Sequence, residues 1–371
     1  MTLKQNDELR HEWRVSLQQG RGLAQSTIQA KLAALRDFET FTSGRSFLKL
    51  RQRDVTDFKE HLLTVPSAVT GECLSCSTVV HVLEHCRDFY SWLADRKDGR
   101  HLDPEAIQWL TATRADKERA RSVPPKPVPS LAEAEAAFAA MPDVTLQNRR
   151  DRAVFATLLL TAIRADALAS LTLGSIDLSK SSVWQDSRVV RTKNSKSFTV
   201  YLMPFFPKAR EALEAWMAEL SDLGLCSSDA LFPRDTELVR IEAGDSPKAG
   251  EFPVWARSTQ VRAIVRNGFE AAGLPRHSPH VFRHMMAKHV LSLRPPAEDL
   301  IAFSINLGHN RLETTVNPYG RPDEETRGRL IAGLGANADL PANADLEAVF
   351  KRLLQEDPEK AAAIFRALAR R

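Results

Sequence analysis

The sequence predicts a mainly α-helical protein with one small β-sheet, an α+β chain built in two parts. Apolar residues recur at three- and four-residue intervals along most of the chain, which is the period of a half-buried helix. One stretch alone, "SSVWQDSRVVRTKNSKSFTVYLMP", replaces that period with β-branched and aromatic runs around an Asn-Ser-Lys turn, as a β-hairpin or meander does. Four prolines within positions 124 to 129 separate the two parts.

The first part, residues 1–112, reads as a small helical bundle. In "STIQAKLAALRDFETF" the residues Ile28, Leu32, Leu35 and Phe38 share a face behind a Ser26 or Thr27 cap. "LRQRDVTDFKEHLL" is a second, shorter helix, and "STVVHVLEHCRDFYSWLADR" a third that places Val79, Leu83, Cys86, Phe89, Tyr90 and Leu93 on one side. Residues 113–130, "TRADKERARSVPPKPVPS", join basic residues to prolines with no apolar period and read as a linker.

The second domain, residues 131–335, begins at once, because Ser130 and Glu133 in "SLAE" form a capping-box pattern. "RDRAVFATLLLTAIRADALASL" is apolar enough for a buried helix and carries Arg164 within it. Helices return at "PKAREALEAWMAEL", "STQVRAIVRNGFEAAGL" and "PHVFRHMMAKHVLSL", and the polar residues 234–252 read as an excursion loop. Residues 336–371 form a tail: a short repeat, "ANADLP" then "ANADLE", serves as spacer, and a helix capped near Asp345 aligns Leu346, Val349, Phe350, Leu353 and Leu354. A last helix has Asp357 as its cap and Pro358 at its first position.

Composition narrows the function. With 371 residues and 43% hydrophobic content, the chain can fill real cores. It has no run of 18 apolar residues and starts "MTLKQNDELRHEWR", which argues against a membrane span or secretory signal and for a cytoplasmic protein. Four cysteines are too few for a disulfide framework and are expected as thiols. A net charge of +4 suits a polyanionic partner without demanding one.

Four polar places in the second domain share one chemistry. They are Arg164 in "TAIRADAL", Lys193 and Lys196 in "RTKNSK", His280, Arg283 and His284 in "HVFRH", and the stretch "INLGHNRLETTVNPYG" with His309 and Tyr319. Attack on a phosphodiester by a tyrosine needs the non-bridging oxygens neutralised and a proton for the departing 5′-oxygen. Two guanidinium groups, permanently charged and able to donate two parallel bonds, suit the oxygens. A lysine at a hairpin tip suits the proton, and His280 or His309 can help activate a phenol whose ordinary pKa is near 10. Two-metal cleavage would need clustered carboxylates, whereas these stretches are basic, so neither metal nor cofactor is expected.

The order Arg, hairpin Lys, His-x-x-Arg, Gly-His, Tyr resembles the tyrosine recombinase family, the phage-integrase type of site-specific DNA recombinase. The resemblance covers most of the chain. It implies a helical core-binding domain and a catalytic domain closing on double-stranded DNA, with catalytic Arg164, Lys193, His280, Arg283, His309 and the nucleophile Tyr319. Lys193 is the better match for the hairpin lysine, with Lys196 as the alternative. It also implies an inverted-repeat core site, a 3′-phosphotyrosyl intermediate, four protomers on two sites, and a tail that packs on a neighbouring protomer. Arg114, Lys117, Arg119, Arg121 and Lys126 would then lie along phosphates. Two positions depart from the family's pattern. Ala162 stands where a glycine is usual, and Ala167 where an acid is usual, with Asp166 one place early.

Two other function classes compete: a DNA-binding protein of the same fold that has lost recombination, and an enzyme that only nicks and reseals DNA. Loss of a catalytic residue would mark the first, and none is lost. A zinc site at Cys73, Cys76, His81 and His85 is disfavoured, since only four residues part Cys76 from His81, against the dozen or so of a zinc finger.

Overall fold

The computed structural model describes residues 2–66, 71–121, 127–245 and 248–309. The chain divides into two units, the first ending at Lys126 and the second beginning at Pro127, inside the stretch expected to be a linker.

The first unit contains Thr2–Val15 (α1), Gln25–Phe41 (α2), Gln52–Thr64 (α3), Cys76–Ala94 (α4), Pro104–Trp109 (α5) and Arg114–Arg121 (α6). On α4 every expected core residue, Val79, Leu83, Cys86, Phe89, Tyr90 and Leu93, is buried. They meet Trp13, Phe38, Phe47 and Phe58, with edge-on ring pairs such as Trp13–Phe89 at 5.1 Å and Phe38–Phe58 at 4.9 Å. Asp88 on α4 accepts from Lys31 at 2.6 Å and from Arg21 at 2.9 Å, tying α2 and the residues ahead of it to α4.

Two expectations in this unit are corrected. Helix α2 starts after Ala24, ahead of Ser26 and Thr27, and neither caps it. Residues 114–121 are helical, because the Thr113 hydroxyl oxygen accepts the Asp116 N–H at 3.1 Å and closes the first turn. None of the α6 side chains is buried, which is why no apolar period announced it. Asp116 and Glu118 pair with Arg119 and Arg121 along its surface, so α6 carries less free positive charge than its arginines alone would give. Lys126 lies outside the described residues.

The second unit runs Leu131–Ala140 (α7), Leu146–Thr161 (α8) and Ala165–Leu168 (α9). The strands Ile176–Asp177 (β1), Ser182–Gln185 (β2) and Phe198–Tyr201 (β3) follow, and then Pro207–Asp222 (α10), Asp235–Glu242 (α11), Thr259–Ala271 (α12), His280–Ser292 (α13) and Ala297–Asn306 (α14). The expected capping box closes the start of α7: Ser130 N–H donates to Glu133 at 2.7 Å and Glu133 N–H to the Ser130 hydroxyl at 3.2 Å. The sheet is antiparallel in the order β1-β2-β3, with Ser182 opposite Tyr201 and Gln185 opposite Phe198.

Helix α8 is the centre of the core, buried from Ala153 through Thr161 and packed by Phe138, Trp216, Phe269 and Phe282. The expected excursion at residues 234–252 contains α11, fastened to α8 by the buried Arg150, which donates to the Pro233 carbonyl at 2.9 Å and pairs with Asp235 at 2.5 Å. Among the described residues no helix is long and apolar enough to cross a membrane. The tail with Asp345 and Asp357, and Tyr319 itself, lie outside the described residues.

Candidate active site

The site begins where α8 stops. Ala162 takes the left-handed conformation, φ 49° and ψ 29°, which costs an L-residue roughly 1–2 kcal/mol. The break is held on both sides: the Thr161 hydroxyl accepts the Ile163 N–H at 3.3 Å, and the chain resumes as α9 at Ala165. Arg164 is therefore not inside a helix, as the sequence implied, but is the extended residue that opens α9 (φ −71°, ψ 143°), half-buried at the end of the break. Ala162 stands where a glycine is expected from the resemblance, and its positive φ is one that glycine adopts without that cost.

Helix α13 supplies the second cation. Pro279 precedes it, His280 is its first residue, and Arg283 lies one turn on. Arg283 is 2% exposed and its guanidinium is pinned: Nη1 donates to the Ala162 carbonyl at 2.8 Å, and Nη2 to the Leu307 carbonyl at 2.5 Å. Nη2 also lies 2.9 Å from Nε2 of His309. A guanidinium can only donate, so His309 Nε2 is the acceptor and the ring proton of the neutral form sits on Nδ1.

The Gly-His pair works as a helix stop. Gly308 N–H donates to the Ile305 carbonyl at 2.7 Å and His309 N–H to the Ser304 carbonyl at 3.1 Å, the bond pattern of a Schellman motif with Gly308 as its left-handed residue (φ 67°). A Cβ on Gly308 would stand 2.6 Å from Cζ of Phe198 on β3, so the turn also needs a residue without a side chain. The motif delivers His309 to Arg283.

Lys193 sits in the long β2–β3 connection, at the start of a tight turn in which Asn194 is left-handed. Its charge acts on His309, whereas Lys196 places its ammonium 5.8 Å from the centre of the Phe198 ring. Lys193 is thus one of the charges that act on the Arg283–His309 pair.

Both histidines lose basicity in this setting. Desolvation, then the charges of Arg283, Arg164, His280 and Lys193, push His309 down to about 4. Desolvation, then His284, Arg283 and Arg164, do the same to His280, which is also held to about 4 although one side of it meets solvent. At neutral pH both rings are neutral and the positive charge is carried by Arg164, Lys193 and Arg283. His284, the third polar residue of "HVFRH", lies one turn along α13 from His280, and its ring meets that of His280 edge-on at 4.6 Å.

Five of the six residues expected at the site thus come together: Arg164, Lys193, His280, Arg283 and His309. The sixth, Tyr319, follows His309 by ten positions. Elsewhere, the His81 and His85 rings stack 6.3 Å apart on α4, and among the described residues no group of three or more His, Cys, Asp or Glu is arranged to hold a metal.

Comparison with known proteins places this geometry. The sequence model of the phage integrase family matches residues 130–326. "Tyrosine recombinase XerC" of Ralstonia pickettii is 31% identical over 273 residues, covering 71% of this chain and 75% of that protein. "Tyrosine recombinase XerD" of Rhizobium meliloti is 29% identical over 301 residues, 80% of this chain and 85% of that one. Among solved structures, XerH site-specific recombinase bound to its difH substrate before cleavage superposes with TM-score 0.54 at 16% identity, covering 85% of this chain and 81% of that one. A lambda integrase dimer on a core site gives TM-score 0.57 at 12% identity, over 86% and 95%. These two likenesses establish a shared fold.

Proposed function

We propose, on the premise that this chain belongs to the phage integrase family and is a site-specific DNA recombinase, that Tyr319 attacks the scissile phosphate while Arg164 and Arg283 hold it. The Tyr319 oxygen forms a bond to phosphorus and the bond to the 5′-oxygen breaks. The products are a 3′-phosphotyrosyl link and a free 5′-hydroxyl, and the same step run backwards with a partner strand rejoins the DNA. Bond energy stays in the covalent intermediate, so no nucleotide is needed.

The observation that carries this reading is the Arg283–His309 hydrogen bond inside a cationic cluster, with a family match that runs on through Tyr319. It divides the work between the histidines. His309 accepts from Arg283 at Nε2 and so supports the guanidinium that holds the phosphate. His280, neutral and reached by solvent at the first turn of α13, is the group able to accept the proton of Tyr319. Lys193 gives its proton to the leaving 5′-oxygen.

The first unit, with α4, then serves as the core-binding half of a clamp on duplex DNA. The substrate is an inverted-repeat core site around a short spacer, sought first in DNA flanking the gene. Four protomers on two such sites form the working assembly, and residues 336–371 dock on a neighbour.

A duplex nicked beside the cleavage point traps the covalent adduct, because the released short strand diffuses away. Wild type is expected to give the adduct and Tyr319→Phe none. An adduct that survives the substitution would remove Tyr319 from its role.

A further inference from the structure

We propose that Asn306 is a positioning residue that holds the lysine-bearing β2–β3 loop in register with the Arg283–His309 pair. The proposal rests on the reading of Lys193 as the proton donor.

Among the described residues strand β3 is the edge of its sheet and pairs with β2 alone. Tyr201 faces Ser182, and the next residue, Leu202, donates its N–H to the Ser181 carbonyl at 2.8 Å. In an antiparallel ladder that makes Tyr201 a non-hydrogen-bonded position, so its own N–H and C=O point away from β2. One side chain takes both. Tyr201 N–H donates to Asn306 Oδ1 at 2.7 Å, and Asn306 Nδ2 donates to the Tyr201 carbonyl at 3.0 Å. A carboxamide presents the donor and acceptor of a peptide group, so Asn306 pairs with the strand edge as a single residue of strand would. The two backbone groups also fix which end of the amide points where.

This contact joins segments 105 residues apart that carry different parts of the site. Asn306 ends α14, and the Gly308 turn then delivers His309 to Arg283. At the other end of β3 the Phe198 ring fills the space beside Gly308, and the Lys193 loop enters the strand directly ahead of Phe198. Strand β3 is therefore fixed to the end of α14 at both of its ends, by Tyr201 on Asn306 and by Phe198 on Gly308. Releasing the first contact lets the strand and its loop slide against His309. Asn306 acts through β3 and α14, and not on the phosphate itself.

The test compares Asn306→Leu, which removes both bonds, with Asn306→Asp, which keeps the acceptor for Tyr201 N–H but sets an oxygen against the Tyr201 carbonyl. Full-length protein is given the nicked suicide duplex with oxygen at the leaving position, and a second duplex with sulfur there. A thiolate leaves without a proton donor, because a thiol is far more acidic than an alcohol. Displacement of a donor by about 1 Å costs about 10²-fold, so both variants are expected to cleave the oxygen duplex about 10²-fold more slowly than wild type. Both are expected to cleave the sulfur duplex at close to the wild-type rate, and Asn306→Leu, which takes away the acceptor, is expected to exchange the Tyr201 amide hydrogen faster. Equal losses on the two duplexes, or no loss on either, overturn the proposal, and Asn306→Asp decides it if Asn306→Leu does not fold. Lys193→Ala on the same pair tests the underlying reading. If sulfur does not rescue it, Lys193 is not the proton donor and both ideas fall; if sulfur rescues Lys193→Ala but neither Asn306 variant, only the Asn306 assignment falls.

Discussion

Replacing Arg283 by lysine keeps the charge and tests what the guanidinium shape contributes. Among the partners of this buried side chain are the Ala162 carbonyl at 2.8 Å, the Leu307 carbonyl at 2.5 Å and His309 Nε2 at 2.9 Å. They lie at the end of α8, beyond the end of α14 and on the ring beyond it, and a planar fork spans them. An ammonium is a single centre on a shorter reach and cannot serve both carbonyls together. One buried carbonyl left unpartnered costs about 1–3 kcal/mol. With a urea dependence of roughly 1–3 kcal/mol per molar, a loss near 2 kcal/mol moves the unfolding midpoint of the second unit down by about 1 M. Cleavage of the suicide duplex should fall further, by about 10²–10³-fold, as when one preorganised donor to a developing charge is removed. Urea titration followed by tryptophan fluorescence reads the first number, since Trp216 and Trp255 are buried in this unit. An unchanged midpoint would refute the argument that the fork holds the α8 break and the α14 turn together. A lowered midpoint with wild-type cleavage would leave Arg283 structural and remove it from the phosphate.

Gly308→Ala should destabilise the second unit by about 1–3 kcal/mol, because the new Cβ meets Phe198 and the backbone is left-handed; urea titration reads it, and Phe198→Leu in the same chain should recover part of the loss. The two site histidines predict a pH dependence. Their folded pKa values, about 4, lie below the ordinary value near 6.5, so the unfolded chain takes up protons first as pH falls. Their contribution to stability is complete above pH 6.5 and is lost between 6.5 and 4, and cleavage should weaken over the lower part of that window as His280 protonates. Denaturation curves of His280→Gln with His309→Gln should be flatter there than wild type, and parallel curves would contradict the assignment. Truncation before Asp345 should leave monomeric DNA binding intact and weaken assembly, read by gel mobility on one-site and two-site DNA; unchanged multimers would remove the tail from that role.

What was legible in the sequence was local. The buried face of α4 and the capping box of α7 are set by residues within a few turns of each other, and the structure reproduces both. Helix α11 escaped because Leu238 is its single buried residue while Val239 is 60% exposed, so its apolar pattern was too thin to recognise. Helix α6 escaped because it buries nothing. The chemistry was legible for a different reason: arginine, lysine and histidine types in a fixed order identify a reaction even when their positions in space are unknown.

The misplacement of Arg164 shows where local reading stops. "TLLLTAIRADAL" is rich in the helix formers Leu, Ala and Arg and has neither Gly nor Pro to mark an interruption. The interruption is stabilised from 121 residues away, where Arg283 takes the carbonyl that Ala162 presents at the end of α8. A glycine at 162 would have announced the break in the sequence; alanine conceals it and leaves the conformational cost to be offset by that tertiary bond. The same bond therefore ends the helix, frees Arg164 to leave the core, and seats Arg283 beside His309. In this chain the helix break and the assembly of the site are one structural event, which is why neither could be placed without the other.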